Sequence, residues 1–128
     1  MRKDILMLLL AVVSSNAMAA WVQSSGGMHY SYYYDPATIS GNGNIAQMFT
    51  MYDYEKPITL GAGKMMSKTM QNEYHCKKEM FRSVTISGYS GNMGGGKVIV
   101  TIKGDDKWDD ILPGSVAEHE WKIACRKE

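Results

Sequence analysis

The sequence predicts an α+β fold: an antiparallel β-sheet of about five to six strands, flanked by one C-terminal α-helix that a disulfide ties to it. Three observations carry this prediction. Turn signals recur at short intervals, and the segments between them alternate apolar with polar residues, as half-buried strands do. The final stretch switches to helical period behind a capping motif. Cys76 and Cys125 then fall on the inward sides of a strand and of that helix.

The first element is not part of the fold. Arg2 and Lys3 precede an apolar run from Ile5 to Val13, and Ala17-Met18-Ala19 supplies a small-x-small site. This order reads as a secretory signal peptide over residues 1–19, leaving a single domain over residues 20–128. The run is too short to span a bilayer, which takes about 20 residues, and no later stretch approaches that length. No cysteine stands at the expected cleavage site. With Arg2, Lys3 and Asp4 gone, twelve basic and twelve acidic residues remain. A neutral chain has no overall field to gather nucleic acid or an acidic membrane surface.

Glycine, proline and asparagine then mark turns at Ser24–Gly27, Asp35-Pro36, Ser40–Asn44, Glu55–Pro57, Gly61–Gly63, Gly88–Gly96 and Gly104–Asp106. Met28, Tyr30, Tyr32 and Tyr34 line one side of the first long segment, against His29, Ser31 and Tyr33. Asn44 to Tyr54 is apolar on both sides, which suits a central strand or a subunit contact. Met70, Asn72, Tyr74 and Cys76 oppose the polar set Gln71, Glu73, His75 and Lys77. Phe81–Tyr89 and Val98–Lys103 read as further strands. Pro113-Gly114 ends the strand region. Ser115 to Glu118 matches a capping box, and Ala117, Trp121, Ala124 and Cys125 form an apolar helical stripe. In an oxidising compartment the two cysteines favour a structural disulfide; a metal pair or a reactive thiol are the rivals, and only His75 adjoins either cysteine as a further ligand.

Catalytic and cofactor signals are weak, and no cofactor is expected. Gly91 to Lys97 fits G-x-x-x-x-G-K, but Val98 stands where a phosphate-binding loop needs Ser or Thr, and a strand follows where a helix should. His29, His75 and His119 are scattered. Met48-x-x-Met51 could suggest copper, yet on a strand the two side chains face opposite ways and read as packing. The candidate binding surface is Tyr30, Tyr32 and Tyr33, with aromatic groups on both strand faces, and the basic group Lys77, Lys78 and Arg82.

Specific segments also carry a resemblance. They are Trp21-Val22, Y-Y-D-P-A-T-I at Tyr33–Ile39, E-Y-H-C ending in Cys76, Y-S-G-N-M-G-G-G-K-V at Tyr89–Val98, and W-D-D-I-L-P-G-S-V-A-E-H-E-W-K-I-A-C at Trp108–Cys125. The chain resembles the surface-adhesin protein E family of Gram-negative bacteria. The resemblance implies a sheet with one C-terminal helix, dimers formed through the sheet, and binding of host extracellular-matrix and serum proteins. The expected function is a non-enzymatic exported protein-binding module, an adhesin in the periplasm or at the cell surface. The alternative is a periplasmic structural or envelope-associated module without adhesin activity; a small enzyme or metal carrier is the third reading.

Overall fold

The computed structural model describes residues 20–61 and 63–127; the leader lies outside the described residues. The strands are β1 (Val22–Gly26), β2 (Tyr30–Asn42), β3 (Ile45–Leu60), β4 (Gly63–His75), β5 (Met80–Tyr89) and β6 (Val98–Lys103). They pair antiparallel in chain order, and a short β7 (Asp109–Asp110) pairs with β5. The helix α1 (Val116–Ala124) follows.

Several strands run through expected turns. Asp35-Pro36 lies inside β2 and Glu55–Pro57 inside β3. The physical reason is that both prolines sit where the ladder is already interrupted, between Asp35 and Ser40 and between Asp53 and Ile58. Proline lacks an N–H to donate, so sheets accept it at such irregularities. The true turn between β2 and β3 is confined to Gly43-Asn44, with Gly43 at φ 66°. β3 is central, and Met48, Thr50 and Met51 on it are fully buried.

The register fixes two faces. Ala46 and Met48 on β3 share a face with Tyr74 on β4, and α1 covers it with Trp121 and Ala124. Ile111, Ile39, Phe81 and Ala117 complete this core. Met51 points the other way, as alternation requires, and Gly94 of the β5–β6 connection lies over it. Both methionines are packing residues.

The helix is held at three places. Cys76 and Cys125 form the expected disulfide, with Cα atoms 5.5 Å apart. The Trp121 indole N–H donates to the His75 carbonyl at 2.9 Å. At the other end the Ser115 hydroxyl accepts from the Glu118 N–H at 3.2 Å. The reciprocal arm of the capping box is shifted: the Glu118 carboxylate accepts from Gly114 N–H, while Ser115 N–H bonds to the Leu112 carbonyl.

Gly104 closes the β5–β6 pairing by donating to the Val84 carbonyl at 2.9 Å. A Cβ there would overlap the Ser83 carbonyl oxygen, which is backbone and cannot swing away. Gly104→Ala should therefore destabilise the fold by about 2 kcal/mol, the usual scale of overpacking. A thermal melt unchanged by this substitution would contradict the close approach.

Candidate functional site

Two polar features lie on the helix side of the sheet. The first is buried. Glu120, on α1 and 1% exposed, accepts from the Tyr74 hydroxyl at 2.8 Å. Tyr74 in turn accepts from the Asn72 amide at 3.2 Å, and that amide also reaches Thr50. Ser83 donates to the Asn72 side-chain oxygen at 2.7 Å. Among the described residues the second Glu120 oxygen, Oε2, has no hydrogen-bond partner. Burial pushes the Glu120 carboxyl up to about 7, against the opposing pull of Tyr74 and Tyr32. Burial, with the nearby Glu120 charge, also raises Tyr74 and Tyr32, so both hydroxyls stay protonated at neutral pH.

Sequence reasoning missed this network. Glu120 flanks the apolar stripe, and no sequence motif singles it out. Only its position, one residue before Trp121 and three after Ala117, hints that it turns inward.

The second feature is the surface just beyond the helix. Tyr30 pairs across the ladder with Tyr54, and Tyr32 with Tyr52. Their rings pack as a cluster: Tyr32 meets Tyr52 edge-on at 4.3 Å, Tyr30 lies 5.3 Å from Tyr52, and Tyr54 stacks on it at 6.1 Å. The Lys68 ammonium sits 4.9 Å above the Tyr52 ring. Partial burial holds that lysine below its usual range and pushes Tyr54 up to about 12. Tyr30, 38% exposed, is the outer edge of the cluster. The result is an aromatic surface with hydroxyl donors and one cation, a combination that suits protein contacts.

The expected surface residues therefore separate. Tyr32 is 5% exposed and belongs to the interior, because α1 covers its face. Tyr33 lies on the opposite face, half-buried and paired with Met51. Lys77 and Lys78 are exposed in the turn after Cys76. Arg82 is engaged: its Nε donates to Glu73 at 2.8 Å, its Nη1 to the Asp106 carbonyl at 3.0 Å, and it stacks 4.3 Å from the Trp108 ring centre.

The histidines have unrelated partners. His29 lies 3.9 Å from Glu55, His75 meets Trp108 edge-on, and His119 contacts the Ser24 hydroxyl and Tyr34. Among the described residues no group of three or more His, Cys, Asp or Glu could hold a metal ion. Gly91–Lys97 makes one 3₁₀ turn, Asn92–Gly94, and then enters β6. Its Asn92 side chain and Met93 N–H bond to Asp53, and Gly94 N–H to Ser67, so it packs as a lid over the sheet.

The sequence matches the family described as surface-adhesin protein E over residues 21–126. No curated protein matches it. Among solved structures, crystal form II of Haemophilus influenzae protein E is similar at TM-score 0.65 and 15% identity, covering 86% of this chain and 97% of that one. Protein E from non-typeable Haemophilus influenzae is similar at TM-score 0.67 and 14% identity, covering 88% and 79%. At such identity these structures speak for the fold: an antiparallel sheet with one C-terminal helix. The family match spans nearly all of the described residues, from the first strand to the helix end. This chain belongs to the surface-adhesin protein E family.

Proposed function

We propose that this protein is an exported, non-enzymatic adhesin that binds host extracellular-matrix or serum proteins through the sheet surface beyond its helix. The observation that carries the reading is the Tyr30–Tyr52–Tyr54 cluster with Lys68 above it, left open where α1 stops. Membership of an adhesin family supports protein binding of this general kind. Lys77 and Lys78 stand exposed at the opposite end of the sheet, beside the disulfide, as a separate basic contact, and Tyr33 and Arg82 contribute from the other face. The same open face suits a second copy of the chain, since Val98 and Ile102 on β6 also leave apolar area exposed.

The test is binding of the purified protein to a panel of immobilised matrix and serum proteins. The wild type should bind at least one of them. Tyr30→Ala should weaken that binding about tenfold, the usual scale for an aromatic anchor, with the melting temperature little changed. Failure of the wild type to bind any of them would remove the adhesin reading. The second reading, an envelope-associated periplasmic module, is favoured by the absence of a lipid-accepting cysteine at the Ala19-Ala20 junction. It predicts that protease added to intact cells leaves the protein uncut.

A further inference from the structure

The face of the sheet opposite α1 carries a polar cleft of about 330 Å³, of which the adhesin reading uses only Arg82. Ser40 and Asn42 on β2, Ile45 and Gln47 on β3, Glu73 on β4 and Arg82 on β5 line it. Register brings them together: Ser40 pairs with Gln47, Asn42 with Ile45, and Gln47 and Arg82 both with Glu73. Gln71 donates to Gln47 at 3.3 Å, Gln47 to Glu73 at 2.9 Å, and Arg82 to the other Glu73 oxygen at 2.8 Å. The planar groups are thus fixed in place before any ligand arrives, which reduces the ordering a ligand must impose.

The charge balance selects the ligand class. Burial alone would push the Glu73 carboxyl up, but hydrogen bonds from Gln47 and Arg82, with the charge of Arg82, hold it below its usual range. The cleft therefore holds one ionised carboxylate and one guanidinium that already neutralise each other. A lone anion would meet Glu73, and a lone cation would meet Arg82. What remains unused is mixed. Arg82 retains Nη hydrogens, Gln47 a second amide hydrogen, Glu73 further lone pairs, and Ser40 and Asn42 can each donate and accept. Neighbouring hydroxyl groups, each both donor and acceptor, match this set. Ile45 gives the cleft an apolar floor. Phe49, outside the cleft lining but two residues along β3 from Gln47 and on the same face, is 38% exposed and offers a neighbouring aromatic platform. The volume lies at the small end of the ~300–1,000 Å³ range of ligand sites.

We infer that this cleft is a binding subsite for a neutral saccharide, with Gln47, Glu73 and Arg82 bonding to ring hydroxyls and Phe49 facing the apolar side of a sugar ring. It lies on the opposite face from the tyrosine cluster, so the two sites can be tested apart.

The experiment is a ¹H–¹⁵N NMR titration of the purified protein with lactose, maltose and N,N′-diacetylchitobiose, and with glutamate and lysine as charged controls. The expected result is saturable shifts of the Ser40, Gln47 and Glu73 amides with at least one of the sugars. Gln47→Ala and Asn42→Ala should each weaken that binding at least tenfold. Asn42 is exposed beside the β2–β3 turn, so its removal leaves the fold intact, and melting curves check both variants. No saturable shift with any of the sugars would overturn the assignment. So would tighter binding of glutamate or lysine, or sugar binding that survives both substitutions.

Discussion

Cys125→Ser is expected to lower stability by about 4 kcal/mol, the loop-entropy value for a closure of 49 residues. In a domain of this size that shifts the melting temperature by on the order of 15 °C. The reason is not only chain entropy. The bond holds the last turn of α1 against the end of β4, where the Trp121 indole reaches the His75 carbonyl. Without it, that turn keeps Trp121, Ile123, Ala124 and the Glu120 network to hold it docked. Thermal denaturation followed at the tryptophan near-ultraviolet band should show the loss, and wild type with reductant should reproduce it. A melting temperature unmoved by reductant would mean that the bond does not restrain the native helix.

The second large effect follows from Glu120. Its carboxyl is raised by burial to about 7 in the folded protein, against an unfolded value of 4.5. Between these values the folded chain keeps a proton that the unfolded chain has released. Stability should therefore fall as pH rises from about 4.5 to 7 and level off above, by a total on the order of 3 kcal/mol. Glu73 acts in the opposite sense. Its folded value is lowered, so its contribution is present above the unfolded value and is lost as pH falls further. These two groups together place the stability maximum in weak acid. Glu120→Gln keeps an oxygen for the Tyr74 hydroxyl but removes the charge. This variant should be more stable than wild type at pH 8 and lack the slope between pH 4.5 and 7. Denaturant titrations across pH test it, and superimposable profiles for the two proteins would rule out an ionisable Glu120 as the cause.

How legible the structure was in the sequence depends on which residues are asked. The helix was readable because its signals are local: Ser115 three residues before Glu118, then Ala117, Trp121 and Ala124 at one spacing. The disulfide was readable because alternation alone put Cys76 on the side of Tyr74, and the helical stripe included Cys125. Strand lengths were not. Pro36 and Pro57 look like ends, and only the neighbouring strands reveal that they occupy gaps in a continuing ladder.

The candidate site was legible in part. The tyrosine pattern marked the right strand, but Tyr32 and Tyr30 have the same local sequence signature. Their different exposure comes from a helix that arrives nearly ninety residues later and covers one and not the other. Glu120 was hidden for the same reason: its partner Tyr74, and Asn72 beyond it, lie far back along the chain. The cleft around Gln47, Glu73 and Arg82 draws on four strands, so no single stretch of sequence announces it.

The consecutive pairing of β1 to β6 bears on how the molecule matures. A chain delivered across a membrane from its N-terminal end can zip hairpin onto hairpin as it emerges, with no need to await distant segments. The short β7, which returns to β5, and the closing rod break this rule. Cys76 is made 49 residues ahead of its mate, so for that interval it has no partner thiol within the chain. On the export route proposed above, an oxidant that acts before the final helix has emerged can join Cys76 only to another molecule.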